Sequence, residues 1–151
     1  MASTLVKNDI HIVFHVKSTS CRIDANLLPT LYRYIGGIIN RRNGLAIEIG
    51  GMPDHVHILT ALPKTLSLAD YVRDIKAVSS KWIKSQGVQY ARFEWQEGYG
   101  AFSVSPTLLD KTIAYIRTQS EHHTKRTFQE EFKLFLDAYQ IDYDERYLFS
   151  D

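Results

Sequence analysis

Cysteine is almost absent from this sequence: Cys21 stands alone among 151 residues. A single thiol cannot form an intrachain disulfide, which fits a reducing cytosol. Also missing is any apolar run approaching the roughly 18 residues that a membrane span needs. The opening Met1-Ala2-Ser3-Thr4 leads into a mixed segment without the pattern of a signal peptide. These absences make a cytoplasmic protein with no membrane partner the expectation. An excess of one charge is lacking too, since 18 Lys and Arg against 17 Asp and Glu leave a net charge of +1. Global charge therefore does not announce a nucleic-acid partner, and any such role must come from local clusters. No internal repeat or low-complexity tract is visible. What is present is ordinary for one soluble domain, with 44% hydrophobic and 23% charged residues.

The periodicities read as an α+β chain. Asp9 to Lys17 alternates as a strand, with Ile10, Ile12, Phe14 and Val16 on one face and His11, Val13, His15 and Lys17 on the other. Asp24 to Arg42 reads as a helix with Asp24 as N-cap, Pro29 early, and Leu27, Leu28, Leu31, Ile35, Ile38 and Ile39 at helical spacing. Leu45, Ile47 and Ile49 alternate with Ala46 and Glu48 as a second strand. A break at Gly50, Gly51 and Pro53 precedes a third strand over 55–62. Ser67 to Gln86 is a second helix, capped by Ser67, with Asp70 in a variant capping box. The aromatic stretch 93–104 holds a fourth strand near its end. Ser105-Pro106 starts a third helix bearing Leu108, Leu109, Ile113 and Ile116, and Phe128 to Tyr139 is a last amphipathic segment. The order predicts a ferredoxin-like, split βαβ fold: a four-stranded antiparallel sheet with helices on one face and extra C-terminal helices. The other face is then free for a ligand.

Candidate chemistry centres on Pro53-Asp54-His55-Val56-His57. Alternation puts His55 and His57 together on the free face, where two imidazoles can converge on one metal ion. The plain alternative is two half-exposed histidines satisfied by backbone or water. Downstream, Tyr115 and Gln119 are four apart on the third helix and share its face. A phenol and an amide oxygen could both reach a metal held by the histidines.

With these residues in place, the chain resembles the single-tyrosine HUH transposases of bacterial insertion sequences, including those associated with repetitive extragenic palindromes. The matching residues run in order through Pro53-Asp54-His55-Val56-His57, Lys76, Ser79-Ser80, Trp95-Gln96-Glu97-Gly98-Tyr99 and Ser103-Val104-Ser105. Tyr115-Ile116, Gln119 and Tyr143-Asp144-Glu145-Arg146-Tyr147 follow. The resemblance implies one transposase domain over 1–151, with a catalytic core over 9–123 and a C-terminal helix and tail over 124–151. It implies cleavage and rejoining of single-stranded DNA at hairpin-flanked sites. Tyr115 would be the nucleophile, forming a 5′-phosphotyrosine. His55, His57 and Gln119 would bind a divalent metal, Mg²⁺ or Mn²⁺. It also implies nucleoid association when bound to DNA, and a homodimer in which the tyrosine helix can complete the partner's site. Gly100 to Ser105 is the natural hinge for such an exchange.

Other residues compete for these roles. An amide oxygen binds metal weakly, so His122, on the same helical face, and Glu48, on the free sheet face, are alternative ligands to Gln119. His122 and His123 otherwise read as surface residues. His11 and His15 fall near DNA rather than metal, Cys21 reads as inert, and Trp95, Tyr99 and Phe102 read as core rather than as base-stacking platforms. For DNA contact the candidates are Lys17, Arg22, Arg41, Arg42, Lys76, Lys81 and Lys84, each weighed against a solvated helix face. Two rival functions remain: a domesticated, non-catalytic binder of hairpin nucleic acid, and a metal-dependent phosphodiesterase that uses water.

Overall fold

Strand β1 (Asp9–His15) is the spine of the sheet. It pairs antiparallel with both β3 (His55–Ala61) and β4 (Gly100–Ser103), while β2 (Leu45–Met52) pairs antiparallel with β3, giving the order β2-β3-β1-β4. This computed structural model describes residues 3–119 and 126–149. Helix α1 (Leu28–Arg41) connects β1 to β2, and α2 (Leu68–Lys84) connects β3 to β4. That is the expected split βαβ order.

Local chemistry accounts for the boundaries. The Asp24 carboxylate accepts from the Asn26 backbone N–H over a single 3-10 turn, and Pro29 then falls in the first turn of α1. The Ser67 side chain caps α2 by accepting from the Asp70 N–H. Against one sheet face, these helices bury Leu31, Ile35, Ile38, Val72 and Ile75 on Ile12, Phe14, Val56 and Ile58. Each fully buried side chain of this size contributes about 1.5–3 kcal/mol. Tyr71, not anticipated as an inward residue of α2, is fully buried, and its hydroxyl hydrogen-bonds that of Thr60 at 2.7 Å.

Three local expectations are corrected. The β2–β3 hairpin turns on Pro53 and Asp54 alone, because Met52 already pairs with His55; Gly50 and Gly51 are strand residues, not a break. A register shift between Ala46 and Glu48 makes a bulge in β2. It sends Ile47 to the face opposite Ile49, beside Leu59. The expected hinge is mostly strand, since Gly100–Ser103 pairs with β1.

The second sheet face is not free. Helix α3 (Leu109–Arg117) lies over β2 and β3, with Ile116 on Leu59 and Val104. Helix α4 (Phe128–Ala138) covers Val13 and Phe102 with Phe128, Phe132 and Leu136. The physical reason is that this face carries Val13, Leu59 and Phe102 between its histidines, and an apolar sheet surface gains by being covered. Gly50 lets α3 come this close. A Cβ there would meet the Ile116 carbonyl oxygen at 2.7 Å and its Cγ2 at 2.8 Å.

Candidate active site

The alternation of β3 places His55 and His57 on the covered face, where they are 2% and 1% exposed. The preceding turn supplies Asp54, whose Oδ1 accepts from His55 Nδ1 at 2.7 Å. Burial works to raise the Asp54 carboxyl. The His55 hydrogen bond and the charges of His55 and Arg22 outweigh it and hold Asp54 below the usual carboxylate range. On the far side of the ring, His55 Nε2 meets Gln119 Oε1 at 3.1 Å. Phe128 stacks on the same ring, 4.3 Å between centroids.

His57 is held by a neighbour in β1. Its Nδ1 shares a hydrogen bond of 2.8 Å with His11 Nε2. Burial lowers His11 to about 4, so it is neutral at neutral pH and either ring can supply the shared proton. The Tyr115 ring stands edge-on to His57 at 5.7 Å and to Phe135 at 5.3 Å. The helix that carries Tyr115 ends at Arg117, with Thr118 at φ −103° and ψ 26°. Tyr115 and Gln119 therefore do not share one unbroken helical face. Gln119 is nevertheless brought back: its Nε2 donates to the Tyr115 carbonyl at 3.4 Å and to Glu131 Oε1 at 3.2 Å.

Glu131 is the site residue that the sequence reading missed. It is 4% exposed on α4, and its Oε1 lies 3.8 Å from His57 Nε2. Burial, with the Asp54 charge adding to it, pushes its carboxyl up to about 7. A signal for it exists: Glu131 interrupts the inward stripe of Phe128, Phe132, Phe135 and Leu136, so helical spacing turns it inward too.

The remaining candidates scatter. Lys17 and Arg22 line a cleft of about 410 Å³ with His15, Ser18, Asp54 and Phe128, next to the histidine pair. Lys17 also pairs with Glu94 at 3.1 Å. Arg41, Arg42, Lys81 and Lys84 belong to α1, its end and α2, the layer on the opposite sheet face, and Arg42 pairs with Asp74 at 3.2 Å. The Lys76 ammonium is turned inward. It donates to the carbonyls of Gln96, Glu97 and Gly98, and burial lowers it to about 8 although the Glu97 charge raises it. Glu48 pairs with Arg117 at 3.2 Å. His122 and His123 lie outside the described residues. Trp95 and Phe102 are buried and Tyr99 is 38% exposed. Cys21 is exposed, its thiol donating to the Gln89 carbonyl.

A divalent ion would find suitable donors here. Ligands in adjacent positions on an ion with bonds of about 2.1 Å are roughly 3 Å apart, and His55 Nε2 and Gln119 Oε1 are 3.1 Å apart. Among the described residues, no three His, Cys, Asp or Glu side chains are grouped so as to hold a metal ion.

Two transposases are among the solved structures that share the fold. One is a protein assigned as a transposase from Deinococcus radiodurans R1, with a TM-score of 0.60 and 18% identity over 79% of this chain and 96% of that one. The other is a REP-associated tyrosine transposase bound to a REP hairpin, with a TM-score of 0.57 and 14% identity over 82% of this chain and 74% of that one. No curated protein matches the sequence. The family model for IS200-like transposases matches residues 4–119, the segment that holds His55, His57, Tyr115 and Gln119, and the chain belongs to that family.

Proposed function

We propose that this protein cleaves and rejoins single-stranded DNA at hairpin-flanked sites, with Tyr115 as nucleophile and His55, His57 and Gln119 as holders of Mg²⁺ or Mn²⁺. The observation that carries the reading is convergence: Tyr115 stands edge-on to His57 while Gln119 faces His55. Tyr115 Oη attacks the scissile phosphorus, the bond to the 3′ oxygen breaks, and a proton yields the free 3′-hydroxyl. In the reverse step a 3′-hydroxyl attacks the phosphotyrosine and Tyr115 regains its proton. The phosphodiester energy is kept throughout, so rejoining needs no ATP. A bound divalent cation would polarise the phosphate and favour the phenolate of a group with an ordinary pKa of about 10. Asp54 orients the His55 ring and His11 orients that of His57, so both are aimed before substrate arrives.

Lys17 and Arg22, in the cleft beside Asp54, are placed to receive the backbone of the strand. The hairpin in the REP-associated neighbour supports a hairpin as the recognised element here. Tyr115 stands edge-on to His57 of its own chain. The homodimer with a tyrosine helix acting in trans stays an expectation of the resemblance. One observation favours a non-catalytic hairpin binder: both histidines are covered by α4. Incubation with Mn²⁺ or EDTA and labelled single-stranded hairpin DNA, followed by a denaturing gel, separates the readings. The transposase forms a covalent adduct with Mn²⁺ only. Binding without an adduct supports the non-catalytic reading, and cleavage without one supports attack by water.

A further inference from the structure

We infer that Lys76 is a positioning residue: it fixes the 96–98 segment, which holds the end of β1 and, through it, Asp54 and the His55 ring. The inference rests on the role given to His55 above. Lys76 belongs to α2, in the layer on the opposite sheet face. An ammonium offers three N–H donors and no acceptor. Here it meets three successive carbonyls, those of Gln96 at 2.7 Å, Glu97 at 3.1 Å and Gly98. The rings of Phe14 and Tyr99 flank it, with centroids 5.1 and 5.8 Å away. Three carbonyl dipoles aimed at one point repel one another unless a cation sits there, so this curl of backbone depends on the lysine. One turn further along α2, Ser79 Oγ accepts from Trp95 Nε1 at 3.0 Å, a second grip on the same segment.

The path from this grip to His55 is short and made of hydrogen bonds. The pairing of β4 with β1 stops at Val13. Beyond it the 94–96 segment takes over. The Gln96 N–H donates to the His15 carbonyl and Gln96 Oε1 accepts from the His15 N–H, both at 2.9 Å. The Lys17 N–H donates to the Glu94 carbonyl at 2.9 Å. On the other side of the same strand end, the Val16 N–H donates to the Asp54 carbonyl at 2.8 Å. The Asp54 carboxylate then accepts from His55 Nδ1 at 2.7 Å. Lys76, Gln96, the 15–17 backbone, Asp54 and His55 thus form one connected chain. Its three donors engaged by carbonyls, the Lys76 ammonium serves this chain rather than a phosphate.

The test compares wild type, Lys76→Met, Gln96→Met and the double variant as full chains, at a temperature where melting curves show each one folded. Lys76→Met keeps the apolar stem and removes the ammonium. Lys76→Gln, which retains two N–H donors, takes its place should Lys76→Met not fold. The rate of covalent adduct formation with labelled single-stranded hairpin DNA and Mn²⁺ should fall by about tenfold or more, because small misplacements at a site are costly in rate. Hairpin affinity and its salt slope should stay at wild-type values. A slope lowered by about one would mark Lys76 as a phosphate contact and overturn the inference. Gln96→Met should show the same defect, and the double variant should be no worse than either, since both act on one path. Additive losses would overturn the inference. A second readout needs neither DNA nor metal. The nitrogen-15 signals of the His55 ring should shift in Lys76→Met as the bond to Asp54 slackens, whereas a merely structural lysine would leave them alone in the folded protein. Unchanged His55 signals would overturn the inference. An absence of adduct in wild type would overturn the cleavage reading instead, and the His55 signals would then decide on positioning by themselves.

Discussion

The two faces of the sheet are buried to similar depth and filled with different chemistry. Beneath α1 and α2 the strands present Ile12, Phe14, Val56 and Ile58, all at most 1% exposed. Beneath α3 and α4 the same strands present His11, His55 and His57, also at most 2% exposed, with Gln119 and Glu131 closing over them. Burial on the first face is favourable by itself. On the second it requires that polar groups be met by others, and hydrogen bonds link Asp54 to His55, His55 to Gln119, Gln119 to Glu131 and His11 to His57. The lesson is that burial alone does not mark a core. A buried face that spends apolar area on imidazoles is organised for something other than stability.

That contrast can be broken first on the stabilising face. Ile58→Ala should cost about 2–5 kcal/mol, because it opens a cavity in a fully buried layer. Urea denaturation would measure it, and a loss below about 1 kcal/mol would show that this face does not carry the fold. Acid should strike the other face. His11 is lowered by burial to about 4 from 6.5, so the unfolded chain binds its proton first. Stability should be complete above about pH 6.5 and fall as pH drops towards 4, by up to about 3 kcal/mol from this group. His11→Phe should flatten that slope in metal-free protein, as seen in melting curves across this window; an unchanged slope would remove His11 from the account.

A smaller effect tests how the faces are joined. Gly50→Ala puts a methyl group against the Ile116 backbone and should cost about 1–3 kcal/mol. It should also move α3, so cleavage should fall more than the melting temperature suggests. An active, fully stable Gly50→Ala protein would show that the approach of α3 to β2 is not critical. The smallest effect concerns the cleft. Arg22→Ala should weaken DNA binding and reduce the slope of log affinity against log salt by about one. The same change at Arg41, on the opposite layer, should leave the slope alone. Equal effects would erase the distinction between the faces for DNA.

Much of this is legible in the sequence, for reasons of local physics. Alternation assigns His11, His55 and His57 to one sheet face, and the caps Asp24 and Ser67 announce their helices. What is not legible depends on tertiary contact. Periodicity shows that α3 and α4 each have an apolar stripe, but not that those stripes meet Leu59, Val13 and Phe102. The bulge that turns Ile47 over leaves no mark in an alternating Leu-Ala-Ile-Glu-Ile run. A basic side chain in a helix also reads as a surface charge, whereas Lys76 reaches inward to three carbonyls. Glu131 shows the converse: an acid on an apolar stripe reads as a tolerated exception until its neighbours are known.

On the function proposed here, the polar face is a tyrosine-and-metal centre for DNA strand cleavage. Tyr115→Phe tests it most directly, since the change removes one oxygen and keeps the ring that packs on His57 and Phe135. Wild type and variant should be compared for melting, hairpin binding and covalent capture of labelled single-stranded DNA in Mn²⁺, with peptide mapping of any product. The account predicts equal melting and binding, a wild-type adduct that maps to Tyr115, and no adduct from the variant. An adduct that survives the substitution, or that maps elsewhere in the wild type, would contradict it.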